Sequence, residues 1–373
     1  MHQIKTNAQM KIGIITMHRI LNYGSVLQAY ALQKALSKLN YESEIIDYAF
    51  PPKSKRSYWL SFKHFIYRIR FKTIFNRSKA SYFKEFIHDN LKLSKKTYNT
   101  QSLKQAQFDY DIYMTGSDQV WNPRWTGIDT SFLLSFVKDS HKKIAYGASF
   151  ACKTIPEKLK YTYTDLLSKY KHITVRERSG SFITKNLLGN EATVVCDPTL
   201  LLSPQDYHNL SKKSNIKIEE PYILVYNLGY MFNPYPQIND TILKIKSLLK
   251  FKVVYIGSPL EKCDDTCFSF ENLGPCEFLW LFEHSEFVIT SSFHGVAFAT
   301  IFNKPLLAAV KKEDGDDRIS SLLSFVGNHN AAFQYQQIPN YSKDQLLKLK
   351  CDIEKKELLR NQSLHILQNI VNN

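Results

Sequence analysis

Glu286 to Ala309 reads EFVITSSFHGVAFATIFNKPLLAA, and this stretch decides the fold class. The apolar run Phe287 to Ile289 has the length of a buried strand. Thr290, Ser291 and Ser292 form a polar cluster, and His294 and Gly295 open an apolar run of helical character. Asn303-Lys304-Pro305 closes that run before another short apolar strand, Leu306 to Ala309. Strand, turn, helix and strand make a βαβ unit. In such a unit ligands lie beyond the carboxyl end of the strand, where the helix N-terminus presents N–H groups that suit an anion. A histidine, three hydroxyls and a glycine there predict a site for a phosphorylated or carboxylated small molecule. The plainer alternative is a capped helix with an incidental histidine.

The same alternation extends outward in both directions. Lys11 to Thr16 is a short strand, Asn22 to Ser25 a turn, Val26 to Leu39 an amphipathic helix and Glu44 to Asp47 a strand. The right-handed crossover rule makes such a sheet parallel. Further strands are predicted at Asp111 to Thr115, Lys143 to Gly147, His172 to Val175 and Ala192 to Cys196. Helices are predicted around Pro156 to Lys169 and from Arg176 onward. Ser203 to Glu220 is polar and Lys-rich, the predicted linker. A second set follows: strand Tyr222 to Tyr226, helix Asp240 to Leu249, strand Lys252 to Ile256, and then the opening unit. The class is therefore α/β, with two doubly wound domains facing across a cleft. Expected boundaries are 1–205, carrying an insertion at about 51–90, then 215–330, then a helical tail at 331–373.

Composition agrees with this. A chain of 373 residues suits two domains, and 44% hydrophobic with 13% aromatic residues supports packed cores and argues against disorder. No apolar run approaches the roughly 20 residues that cross a bilayer, and the first residues lack the features of a signal peptide. A cytoplasmic protein is expected. The six cysteines are scattered and form no disulfide framework, and Cys263, Cys267 and Cys276 find no partner that completes a zinc site, so no metal is expected. The net charge of +15 is concentrated: between Asp47 and Glu85 there are ten Lys or Arg, no acid, and large aromatics such as Trp59, Phe62 and Tyr67. That mixture suits an anionic membrane surface or another polyanion, and single-stranded nucleic acid has the same general chemistry. Its plain reading is a packed helix with a wet basic side. The expectation taken is a peripheral contact with the inner face of the cytoplasmic membrane, without nucleic acid as a partner.

Four segments place polar groups just after predicted strands: His18 to Ser25, Gly116 to Pro123, Arg176 to Ser179 and Ser291 to Gly295. Strand ends of a doubly wound sheet converge on one edge, where ligands bind. Seven motifs in order, Asn22 to Leu32, Gly116 to Asn122, Tyr146-Gly147-Ala148-Ser149-Phe150, Val175 to Ser179, Asp197-Pro198-Thr199, Ser292-Phe293-His294-Gly295 and Arg318-Ile319, resemble the polysaccharide pyruvyl transferase family from about Lys11 to Leu323. The resemblance implies a glycosyltransferase B-like pair of Rossmann-like domains. It also implies transfer of pyruvate from phosphoenolpyruvate, a co-substrate and not a resident cofactor, onto two hydroxyls of a sugar as a cyclic ketal. The acceptor implied is a surface polysaccharide or its lipid-linked precursor.

Within that reading His294 is the candidate acid and Asp118 the candidate base. Many family members carry a basic residue where this chain has Ser292, so Arg176, Arg178 and Arg318 are the candidate anion clamps. Ser291, Ser292, Gly295, Asn22, Tyr23, Gly24, Ser117 and Gln119 are the further expected substrate-binding residues. No G-x-G-x-x-G fingerprint is present, and neither Asp109-Tyr110-Asp111 nor Asp314-Gly315-Asp316 is read as a metal pair of the sugar-nucleotide type. The alternatives are a nucleotide-sugar-dependent glycosyltransferase of the same fold, and a non-catalytic protein that binds polyanions or membranes.

Overall fold

The computed structural model describes residues 10–50, 78–127, 129–228, 233–257, 267–311 and 317–373. The first sheet contains Lys11–Ile15 (β1), Glu42–Ile45 (β2), Ile112–Thr115 (β3), Lys143–Ala148 (β4), His172–Val175 (β5) and Thr193–Val194 (β6). All are parallel, in the order β2-β1-β3-β4-β5-β6. The second contains Tyr222–Tyr226 (β7), Lys252–Ile256 (β8), Cys267–Phe270 (β9), Phe287–Thr290 (β10), Leu306–Val310 (β11) and Ala332–Gln334 (β12). It is also parallel, in the order β12-β11-β10-β7-β8-β9. Strand order reverses between β1 and β3 in one sheet and between β7 and β10 in the other. Those two switch points are where open α/β sheets bind ligands. The strands are rich in Ile, Val and Leu because helices cover both faces.

Three apolar clusters organise the chain. One packs helices on the outer face of the first sheet, around Trp121, Phe150 and Leu167, and one lies on the outer face of the second, around Ile242 and Phe287. The third is shared by the two halves and runs from Ile14, Leu27 and Leu32 to Leu224, Phe278 and Phe298. Tyr23 illustrates the join: its ring stacks on Phe278 at 4.5 Å and 12°, and its hydroxyl donates to Leu273 O at 3.2 Å. The C-terminal helix Ile353–Asn372 returns to the first domain, where Ser363 Oγ accepts from Cys196 N at 2.9 Å.

Several boundaries differ from expectation for physical reasons. The turn at Asn22 to Ser25 is the first turn of the helix Tyr23–Lys38, because Asn22 caps it by accepting from Ser25 N at 3.2 Å. The strand expected at Ala192 to Cys196 shortens to Thr193–Val194 as Cys196 turns its N–H to Ser363. Half of the predicted linker is a helix, Pro204–Ser211, opened by a Ser203/Asp206 capping box. The segment after residue 330 is not wholly helical, since β12 forms the edge of the second sheet. The basic-aromatic stretch from residue 51 to 77 lies outside the described residues. No helix among the described residues is long and apolar enough to cross a membrane.

Candidate functional site

β10 ends at Thr290, whose Oγ1 donates to Tyr226 O at 2.5 Å and accepts from Ser292 N at 3.0 Å. Ser292 then caps the helix Phe293–Ile301 by accepting from Gly295 N at 3.3 Å. A Cβ on Gly295 would stand 2.1 Å from Thr290 Oγ1, so only glycine lets the helix start this close to the strand. These contacts fix His294 in the first helical turn, buried, with its ring against the first domain. A Cβ on Gly24 would lie 1.9 Å from His294 Nδ1. Gly24 is thus the bed on which the imidazole rests.

The other side of the imidazole faces a charged cluster from the first domain. Asp197, just beyond β6, is buried, and its Oδ2 lies 3.6 Å from His294 Nε2. The same carboxylate accepts from Arg176 Nη1 at 2.6 Å and Ser117 Oγ at 3.2 Å, and from Thr199 N and Oγ1 at 2.9 and 2.7 Å. Burial alone would raise its pKa, but the nearby His294 and Arg176 outweigh that and hold the carboxyl far below the usual carboxylate range. Arg176 also spans to Asp118 Oδ1 at 3.7 Å and Glu177 Oε2 at 3.9 Å, with its guanidinium 4.2 Å over the Phe293 ring.

Asp118 sits on the loop after β3 with φ of 74°, a left-handed conformation that Asp tolerates better than most residues. Its carbonyl accepts from Ser149 N at 3.0 Å, and its carboxylate accepts from Ser25 Oγ. Glu177 is fully buried and accepts from Ser149 Oγ, Phe150 N and Ala151 N at 3.0, 2.9 and 3.2 Å. Burial pushes its carboxyl pKa up, against the pull of Arg176 and Arg318.

Three nitrogens in this cluster are buried without a hydrogen-bond partner: Arg176 Nε, Arg176 Nη2 and His294 Nε2. Leaving such a group unmatched costs about 1–3 kcal/mol, more when it is charged. A guanidinium edge and an imidazole converging in a cleft suit a carboxylate or phosphate. Among the described residues no group of three or more His, Cys, Asp or Glu is arranged to hold a metal ion.

The sequence candidates divide accordingly. The structure brings His294, Asp118, Arg176, Gly24 and Ser117 together around Asp197. Arg178 is exposed and turns instead to the helix Arg318–Phe325, where it donates to Ser324 Oγ at 3.3 Å and lies 4.8 Å over Phe325. Arg318 is buried at the start of that helix and contributes charge near Glu177. Tyr23 belongs to the shared core, and Asn22, Ser292 and Gly295 shape helix starts. Ser291 Oγ accepts from Leu228 N at 2.9 Å, bracing β7. Gln119 is buried as an anchor for Trp125, whose Nε1 donates to it at 3.0 Å. His18 lies in a separate buried group, 2.9 Å from Asp47, which Arg19 also grips through two bonds of 2.6 Å. Asp197 and Glu177 were not among the sequence candidates. Both lie within a few residues of a strand end, after β6 and β5 respectively.

Comparison with known proteins adds the following. A model of the family described as polysaccharide pyruvyl transferase matches residues 22–309. No protein of curated function matches the chain in sequence. Among solved structures, the chain is similar to UDP-GlcNAc 2-epimerase from Methanocaldococcus jannaschii, at 12% identity and a TM-score of 0.51. It is also similar to a glycosyltransferase from Rickettsia africae ESF-5, at 14% and 0.50, and to the glycotransferase of kitacinnamycin, at 10% and 0.50. Each alignment covers 98% of this chain and 100% of the other. At these identities the likeness establishes the fold alone: two Rossmann-like domains facing across a cleft, glycosyltransferase B-like.

Proposed function

The chain belongs to the polysaccharide pyruvyl transferase family, transferases that act on polysaccharide, and on that premise we propose that it moves pyruvate from phosphoenolpyruvate onto a sugar as a ketal. The acceptor in this reading is a sugar of a surface polysaccharide or of its lipid-linked precursor. One observation carries the proposal: Arg176 and His294 come together at Asp197, and Arg176 Nε and Nη2 and His294 Nε2 are buried there without a hydrogen bond. A small dianion with a carboxylate and a phosphate supplies the acceptors that these nitrogens lack.

The chemistry then runs as follows. His294 delivers a proton to the methylene carbon of the enol, which becomes a methyl group as positive charge develops at the neighbouring carbon. A sugar hydroxyl adds to that carbon and gives its proton to Asp118. The bond from carbon to phosphate oxygen breaks, phosphate leaves, and a second hydroxyl closes the ketal with its proton departing on phosphate. One phosphoenolpyruvate and one diol thus yield one ketal and one hydrogen phosphate. General acid or base assistance of this kind contributes about 10²–10⁴-fold.

Calorimetric titration tests the donor. Phosphoenolpyruvate should bind the parent, and Arg176→Lys, which keeps the charge but loses the fork, should weaken binding by about 1.5–3 kcal/mol. Tight binding of a UDP-sugar with none of phosphoenolpyruvate would favour a nucleotide-sugar glycosyltransferase instead. The basic stretch after Pro51 supports a place at the inner membrane face, close to a lipid-linked acceptor.

A further inference from the structure

Trp125 is 39% exposed at the carboxyl edge of the first sheet, yet its place is fixed. Its indole N–H donates to Gln119 Oε1 at 3.0 Å, and that oxygen also accepts from Asn122 Nδ2 at 2.8 Å. Asn122 Oδ1 in turn accepts from Arg124 N at 3.0 Å, which sets the short helix Pro123–Thr126. Gln119 and Asn122 are both buried. Stability alone would favour the indole turned inward, where its area is removed from water. Here buried amides, which must be hydrogen-bonded to be tolerated, hold it outward. A rigid indole gives a large contact face at low entropic cost, suited to the apolar side of a sugar ring.

A single exposed aromatic residue is ordinary. Its neighbour Arg124, whose guanidinium lies 5.6 Å over the Trp125 ring, lines a groove of about 460 Å³ together with Asn122, Pro123, Ala151, Lys158 and Leu159 among others. That volume lies within the range of small-molecule sites. Arg124 and Lys158 are exposed cations, and no Asp or Glu is among the described residues lining the groove. The turn that carries Trp125 begins at Asp118, the candidate base.

We propose that this turn and groove form the acceptor subsite and that they take a saccharide bearing a uronic acid. The sugar face rests on Trp125, and the carboxylate lies between Arg124 and Lys158. The planar guanidinium matches a carboxylate fork. This inference rests on the transferase reading above, since it names the acceptor class for that same cleft.

The test uses the full-length protein without phosphoenolpyruvate, on immobilised oligosaccharides in matched pairs, one carrying glucuronate or galacturonate and the other its neutral counterpart. The parent should retain the acidic member of a pair at least about tenfold better, the equivalent of one charge-assisted contact. The double variant Arg124→Gln/Lys158→Gln should lose that preference while keeping neutral binding. Trp125→Ala should weaken both members, and Trp125→Phe, which keeps a flat ring, should restore most of it. Thermal melts identify any variant that fails to fold, and Trp125→Phe with the double variant then carries the test. A parent without preference for acidic glycans, or a double variant that keeps the preference, overturns the proposal. Titration of the same proteins with phosphoenolpyruvate separates the two readings. If the donor never binds while acidic glycans depend on Trp125, the donor assignment falls and the acceptor subsite stands.

Discussion

His294 Nε2 lies 3.6 Å from Asp197 Oδ2, and the two residues follow strands of different sheets. Arg176 closes on the same carboxylate oxygen at 2.6 Å. The candidate acid is therefore assembled only when the two domains meet. Its orientation depends on Asp197 and Arg176 on one side and on Gly24 on the other.

His294→Ala should remove turnover by roughly 10²–10⁴-fold while the protein still folds, because His294 contributes a chemical group at a cleft and not core packing. Steady-state rates alongside a thermal melt decide this. A folded variant with near-parent turnover would take His294 out of the mechanism.

Gly24→Ala should act on the same imidazole from the opposite side. The added methyl meets His294 Nδ1 at 1.9 Å, and overpacking of this kind costs about 1–3 kcal/mol. Turnover should fall with stability, and adding His294→Ala should recover part of the stability by opening space. If the double variant is less stable than the parent by the sum of the two single effects, the contact does not control the ring.

Asp197→Asn carries a pH signature. The folded protein holds the Asp197 carboxyl below its unfolded value, so its contribution is complete above the ordinary carboxylate pKa of about 3.9 and fades as pH falls below it. At neutral pH, breaking the buried pair with Arg176 should cost about 3–5 kcal/mol. Urea unfolding from about pH 7 down to about pH 2 should show the gap between parent and variant shrinking on the acid side. Asp47 titrates alike in both proteins and drops out of the difference. A gap that stays constant with pH would mean that Asp197 is not the charged partner.

Much of this was legible in the residues, and the exceptions have causes. β10 and the helix after it could be read because an apolar run, a hydroxyl cluster and a proline stop occur in order. The helix at Pro204 hid in a polar stretch, although Ser203-Pro204-Gln205-Asp206 is a readable start signal. β9 and β12 are too short, at four and three residues, to show a period. Arg176 and Arg178 look alike in sequence. Arg176 follows β5 and turns to Asp197, whereas Arg178 opens a helix and points to the neighbouring domain. Asp197 needed three dimensions, because what marks it is convergence with residues far along the chain.

The basic stretch between Pro51 and Lys84 predicts membrane contact. Each Lys or Arg near an anionic surface adds about 1 kcal/mol, screened over roughly 8–10 Å at physiological salt. Flotation with anionic liposomes should capture the parent at low salt and release it at high salt. Changing Lys63, Arg68, Arg70 and Lys72 to Gln should abolish capture, and equal capture of both proteins would reduce the stretch to a packed helix with a wet basic side.

The central claim is that this cleft transfers pyruvate. Isotopically labelled phosphoenolpyruvate offered with saccharide acceptors, including lipid-linked ones, tests it most directly when product carbon is followed by NMR and phosphate is measured in parallel. The account predicts a labelled ketal carbon bonded to a methyl group on the glycan, one phosphate released per ketal, and neither product from His294→Ala. Transfer of a sugar from a nucleotide donor through the same cleft, with the phosphoenolpyruvate label left untouched, would contradict it.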